Sequence, residues 1–378
     1  MADPVQTYDV IIAGGGIAGR SLAYFLSRKP QLAGTRILLI DGARNQYEHR
    51  SLIYWHDGDF PLPLAPAATF KSIAVDAEPA RRVLPLKHHS LCLTSSRTVF
   101  RCLDKVIDAN SHITRLDANI SRVRSHKDFV EVTLSDGQPF RAPYCFDSTF
   151  YPLGVKAPLL MSGEIRRIRT PQPSFDPSVA TFIDFRSGEK TPVHFHCVLP
   201  ISAREAFVEV TRILPNGHID PGFSFEEATS AYLGEVWGVT EFSLLSLERG
   251  FIPLGIHPPA PHRRHMYIGT PSGVIKATTG YGLTRILRQT ESIAASLAST
   301  GSPDAPRPSR RFHWYDKPVL RMWKHSPQDA VSFMKAAFAA GDADLVLDFL
   351  DEQTTLEQER GLLGSMPVTL LLHPRLWI

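Results

Sequence analysis

The stretch that most constrains this chain is Tyr8-Asp-Val-Ile-Ile-Ala13, an apolar run that leads straight into Gly14-Gly-Gly-Ile-Ala-Gly19. A helical pattern follows with Leu22, Ala23 and Leu26 inward, then a second apolar run, Ile37-Leu-Leu-Ile40, ending in Asp41. This is G-x-G-x-x-G inside a strand–turn–helix–strand unit, with an acidic residue after the second strand. Gly14 allows the tight turn, Gly16 lets the backbone approach a pyrophosphate, and Gly19 lets helix and strand pack closely. The helix N-terminus adds free N–H groups and a positive dipole for phosphates. Asp41 is placed to accept hydrogen bonds from an adenosine ribose. The unit predicts a Rossmann-type α/β domain that binds a dinucleotide. Its place at the start of the chain associates it with FAD rather than NAD.

Composition narrows the function classes. Apolar residues make up 43% and charged residues 21% of the chain, as in a soluble globular protein. A net charge of +3 is too small to argue for a nucleic-acid partner. Cys92, Cys102, Cys145 and Cys197 show no C-x-x-C spacing, so no metal site is expected, and the thiols fit a reducing, cytoplasmic setting. No signal peptide and no membrane-spanning run is expected, since no stretch of about 18 apolar residues occurs.

Residues 44–90 read as irregular, and Tyr54-Trp55-His56 reads either as a pocket wall or flavin contact or as ordinary core. Ser95 and Ser96 precede the helical spacing Val99, Leu103, Val106. Two strands are expected in 118–134, a hairpin turn at Asp136-Gly137, and a buried strand at Tyr144–Thr149 ending in small polar residues. Residues 158–249 change character to longer alternating strands, which predict one antiparallel sheet under a substrate cavity, with Phe182, Phe185, Phe195 and Phe207 as aromatic lining. Residues 269–282 form a Gly/Ser/Thr-rich entry to a helix, returning the chain to the cofactor. The expected layout is therefore a discontinuous FAD-binding domain (1–157 and 250–299), an inserted antiparallel-sheet substrate domain (158–249), and a helical C-terminal region (300–378).

Glu209 stands out within the inserted sheet. Val193–Leu199 and Ala206–Leu214 flank a polar turn, a hairpin pattern. Alternation points Phe207, Glu209 and Thr211 to one face and Ala206, Val208 and Val210 to the other. A carboxylate among such neighbours either faces water or is buried and held protonated for acid chemistry.

Several segments in the same order resemble the lycopene cyclases, FAD-dependent carotenoid β-cyclases. Phe182-Ile-Asp184-Phe185 is similar to that family's Phe-Met-Asp-Trp segment, and Phe207-Val-Glu209-Val-Thr211 to its Phe-Leu-Glu-Glu-Thr region, where the catalytic acid lies. Glu248–Gly255, Gly269–Gly282 and Met366-Pro367 resemble further family segments. Val210 stands where the family has a second acid, and alternation turns it away from Glu209. The resemblance implies a non-redox cyclase that protonates the end of a linear polyene and closes a six-membered ring, lycopene being the expected substrate. It implies Glu209 as the acid with Asp184 as second candidate, and Gly14, Gly16, Gly19, Asp41, Gly269, Gly273, Thr279 and Gly280 as cofactor contacts. It implies reduced FAD, NADPH as external reductant, and peripheral contact with the membrane that holds the polyene. The apolar tail places that contact at Leu370–Leu372 with Leu376, Trp377 and Ile378, aided by Arg310, Arg311 and Arg375. Rival readings are a cyclase of another prenyl or terpenoid chain, and a flavin-dependent monooxygenase or prenyl reductase.

Overall fold

The structure is a computed structural model that describes residues 5–42, 50–77, 80–149, 157–188, 192–215, 222–258, 262–306, 309–340 and 342–366. At its centre lies a five-stranded parallel sheet, ordered His265–Tyr267, Tyr144–Asp147, Val10–Ala13, Ile37–Ile40, Ile113–Leu116. Val10–Ala13 and Ile37–Ile40 are buried along their whole length, which explains their unbroken apolar runs. Alternate side chains serve opposite faces. Val10, Ile12, Ile37 and Leu39 pack with the helices Ile17–Ser27, Ser96–Ile107 and Leu283–Thr300. Ile11, Ala13, Leu38 and Ile40 pack against a four-stranded sheet that includes Ile120–Ser125, Val130–Leu134 and Pro139–Ala142. The Rossmann-type α/β class read from the glycine unit is the fold observed.

The second large sheet has seven strands, ordered Ser243–Leu254, Leu159–Arg169, Glu205–Pro215, Phe195–Ser202, Val179–Asp184, Ser72–Ala77, Ala80–Pro85. It departs from the sequence reading in two ways. The stretch read as irregular supplies the Ser72–Ala77 and Ala80–Pro85 hairpin, which pairs parallel to Val179–Asp184, so the sheet is mixed. The edge strand Ser243–Leu254 also runs through the expected boundary at residue 250. Both features arise from pairing between distant segments, and a short apolar run such as Ile73-Ala-Val75 does not announce its partner. Ser51–His56 and Ser90–Ser95 form a further small sheet with Ala68–Phe70.

The helix Phe225–Trp237, capped by Ser224, covers one face of the seven-stranded sheet through Tyr232 and Leu233. The other face is roofed by C-terminal helices Arg310–His325, Pro327–Ala340, Ala343–Leu350 and Leu356–Gly364, whose Trp323, Phe338 and Leu350 share a core with Phe182 and Leu199. One buried cation ties this roof to the 269–282 loop. Lys276 is almost wholly enclosed, 2.8 Å from Asp316 and 3.3 Å from Glu352, with its Nζ 5.2 Å from the Phe312 ring centre. Its backbone N–H donates to the Tyr281 carbonyl at 2.9 Å, and its carbonyl accepts from Gly280. The apolar tail expected at a membrane lies outside the described residues. Arg311, expected near lipid phosphates, donates instead to Glu359 at 2.9 Å and to the Thr354 carbonyl at 2.8 Å. No helix among the described residues is long and apolar enough to cross a membrane.

Replacing Lys276 with Met leaves Asp316 buried beside an apolar chain. Removing one partner of a buried pair costs about 3–5 kcal/mol. Chemical denaturation of Lys276→Met should show a loss of that order, and a loss below about 1 kcal/mol would mean that the pair does not anchor the roof.

Candidate active site

A cavity of about 930 Å³ extends from the glycine turn to the seven-stranded sheet. Gly14–Ala18, Asp41, Asn119, Ser148 and Thr149 line its polar end. Gly14 has φ +95°, and a Cβ there would fall 2.4 Å from Ser148 Oγ. That hydroxyl donates to the carbonyls of Ala13 and Gly14, so the end of the Tyr144–Asp147 strand is stitched to the turn. A Cβ on Gly19 would fall 1.9 Å from the Gly14 carbonyl oxygen, the close helix–strand packing expected of it. Gly16 opens on free space and starts the helix with no side-chain cap, leaving first-turn N–H groups for a ligand. Two details were not read from sequence. A Cβ on Gly15 would fall 2.5 Å from Asp41, and Arg20 Nη1 lies 3.5 Å from the Asp41 carboxylate.

The second loop reaches the same cavity through Thr270 and Thr278–Leu283. Gly282 begins the helix Leu283–Thr300, again without a side-chain cap. Thr279 Oγ1 is buried and has no hydrogen-bond partner among the described residues. Gly280 packs on Met161 and Ile252, where its absent side chain leaves room. Gly269 and Gly273, read as cofactor contacts, are not on the cavity wall. Gly269 packs on Ala18 and donates its N–H to Gln289 Oε1 at 2.8 Å, and Gly273 closes the short turn Thr270–Ser272. Two uncapped helix N-termini, a bare Gly16 and an unpartnered Thr279 hydroxyl on one wall fit a long phosphate-bearing cofactor such as FAD.

The other end is apolar, with Met161, Ile165, Phe182, Phe195, Leu199, Phe207, Ile213, Tyr281, Trp323, Met334 and Leu350 around Glu209. Strand register builds this floor. Cys197, Glu209, Ile165 and Glu248 form one row across four strands, and Phe195, Thr211, Gly163 and Gly250 form the next. Glu209 is half-buried, its exposed part facing the cavity. Burial is the main cause that raises its carboxyl above the ordinary carboxylate range, Glu248 adds to the rise, and the Thr211 hydroxyl, donating at 2.7 Å, opposes it. Phe182 stacks on Tyr281 with ring centres 5.5 Å apart, and Trp55 meets Tyr281 edge-on at 4.9 Å. Trp55 and Tyr54 are core residues, and Phe185 lies beneath Phe195 rather than on the wall.

Asp184 is elsewhere. It lies on the opposite face of the sheet, paired with Arg186 at 2.6 Å and accepting from the Tyr232 hydroxyl at 2.8 Å. Burial alone would raise its carboxyl, but the Arg186 and Tyr232 bonds outweigh it and hold it below the ordinary range. Val210 is buried on that same far face, in register with Glu164. An acid at 210 would crowd Glu164 and never reach the cavity. Glu248, by contrast, is a cavity carboxylate that sequence reasoning passed over. Its one signal was position, since it alternates with Ile252 at the start of a family-like segment.

The family profile described as Lycopene cyclase protein matches residues 9–375. The chain belongs to the lycopene cyclase family. No curated protein matches it. Among solved structures it is similar to a geranylgeranyl bacteriochlorophyll reductase-like protein from Thermoplasma acidophilum, with 14% identity, TM-score 0.63 and 98% of each chain covered. It is also similar to halogenase PltM in complex with phloroglucinol and FAD, with 14% identity, TM-score 0.59, and 91% and 82% covered. p-Nitrophenol 4-monooxygenase PnpA from Pseudomonas putida is a third, with 12% identity, TM-score 0.55, and 98% and 99% covered. At these identities the likeness is one of fold, shared by flavoproteins of different chemistry.

The raised Glu209 carboxyl has a consequence for stability. Its folded value lies above its unfolded value of about 4.3, so the folded state binds the extra proton between the two. Stability from this group falls as pH rises through that window. Glu209→Gln should therefore be at least as stable as the parent, by a margin that grows as pH rises above the unfolded value of about 4.3 and levels off once the folded carboxyl has ionised. Denaturation midpoints across that range test it, and a constant margin would show an ordinary carboxyl.

Proposed function

We propose that this protein is an FAD-dependent, non-redox cyclase acting on the end of a linear polyene, lycopene being the substrate favoured by family membership. The observation that carries this reading is Glu209, a carboxyl favoured in its protonated form on the floor of an apolar, aromatic cavity. A general acid must be neutral before it acts, and burial shifts Glu209 in that direction. Its proton passes to a terminal trisubstituted alkene, giving a tertiary cation. The next alkene attacks, the ring closes, and a proton next to the ring cation returns to the Glu209 carboxylate, leaving the β-ionone end. The side chains of Met161, Phe195, Phe207, Ile213 and Trp323 exclude water that would trap the cation as an alcohol. Tyr281 and Phe182 present ring faces that favour a passing positive charge. Reduced FAD, held by Gly14, Gly16, Asp41, Thr279 and Gly280, would supply an anionic ring near the cation, with NADPH as external reductant. The polyene itself resides in bilayers, so the protein would dock on a membrane peripherally.

The flavoprotein neighbours favour one second reading, a redox enzyme on the same fold. Such an enzyme would couple steady NADPH oxidation to substrate turnover, with oxygen uptake in the monooxygenase case. The cyclase should show neither beyond initial flavin reduction. Expression in cells that accumulate lycopene or other linear prenyl chains, followed by product analysis, separates the readings. In that assay Glu209→Gln should lower cyclisation by about 10²-fold or more, the scale of a general acid, with flavin still bound. Near-full activity would remove Glu209 from the mechanism. Asp41→Ala should weaken FAD binding by about 1.5–3 kcal/mol, the worth of hydrogen bonds to a charged group. Unchanged FAD affinity in a titration would mean that Asp41 does not hold the ribose.

A further inference from the structure

The cavity floor holds a second carboxylate whose place is fixed by strand register. Ile165 pairs with Glu209 on one side and Glu248 on the other, so the two acids lie on one face, two strands apart. Adjacent strands are about 4.8 Å apart, which sets the backbones of the pair about 10 Å from each other. In the row beside them Gly163 and Gly250 are paired and carry no side chains, Thr211 stands beside Glu209, and Arg50 lies over Gly250. A Cβ on Gly163 would fall 3.1 Å from Thr211 Oγ1 and 3.4 Å from Glu209 Oε1. Gly163 thus leaves space between the two acids, bounded by Met161 and Ile252 in the next row.

Glu248 is held rigidly. The Ser51 N–H donates to its Oε2 at 2.6 Å and the Ser51 hydroxyl to its Oε1 at 2.7 Å. Two donors, one to each oxygen, suit a carboxylate anion. We infer that Glu248 is the fixed negative charge at the apolar end of this cavity, a positioning residue that keeps the proton on Glu209 and faces the positive charge formed after that proton is delivered. This rests on the cyclase reading for the second half only. The first half concerns Glu209 alone.

The other groups facing Glu209 are accounted for. Thr211 donates to it, the Cys197 thiol beside it is engaged with the Phe182 carbonyl, and the Tyr281 phenol above it is buried and neutral. Arg50 also lines the cavity, over Gly250, and is bonded to the Arg249 carbonyl. Arg249 itself is bound to Glu164 on the far face. Of the charged groups that border the cavity, Glu248 is the one that raises the Glu209 carboxyl.

The test needs no substrate. In the flavin-loaded protein, the infrared carboxylic-acid band that disappears in Glu209→Gln is titrated with pH. Its midpoint should fall by about one pH unit in Glu248→Gln, the effect of a unit charge about 10 Å away at an effective dielectric of about 20. Glu248→Asp, which keeps the charge, should stay near the parent. A midpoint unchanged in Glu248→Gln, or lowered equally in both variants, overturns the inference. In the polyene assay the high-pH limb of cyclisation should move down in step for Glu248→Gln and return for Glu248→Asp. A parent protein that cyclises nothing would sink the proposed function while leaving the infrared result to stand or fall by itself.

Discussion

Taking a carboxyl group out of water is the interaction around which the rest of this molecule is arranged. An ionised Glu209 among Phe195, Phe207, Ile165 and Ile213 would lose its hydration with little in exchange. The protonated form avoids that cost, and one hydrogen bond from Thr211 does not reverse the balance. Asp184 is the control within the same sheet. It is fully buried, yet Arg186 and Tyr232 supply what hydration gave, and its carboxyl is held below the ordinary range. Two buried acids on opposite faces of one sheet are driven in opposite directions by their partners.

The apolar end of the cavity is enclosed by elements from three distant parts of the chain. The seven-stranded sheet gives the floor, the 269–282 loop a wall, and the C-terminal helices the roof through Trp323, Met334 and Leu350. Lys276 joins wall to roof by its pairs with Asp316 and Glu352, an ion pair of little net stabilising value that is costly to break.

At the opposite end the requirements reverse. Bare glycine, uncapped helix N-termini and the Thr279 hydroxyl present free donors, which a phosphate-bearing ligand would satisfy. Flavoproteins of quite different chemistry share this fold, so the glycine turn says what kind of group is held and little about what is done with it. The distinction lies in the apolar half, where family membership and the Glu209 environment coincide.

By itself the sequence determined what depends on near neighbours along the chain. The apolar runs before Gly14 and Asp41, the glycine spacing, and the period-two alternation that put Phe207, Glu209 and Thr211 on one face all follow from local geometry, and each matches the structure. Tertiary structure decided whatever depends on partners far along the chain. The 72–85 hairpin joins the large sheet, Gly269 and Gly273 lie behind the cavity wall, Asp184 turns to Arg186, and Glu248 enters the Glu209 row. The reason is that alternation fixes a side chain's face only relative to its own strand. Which charges, apolar groups or glycines share that face is set by inter-strand register, and register is a property of the assembled sheet.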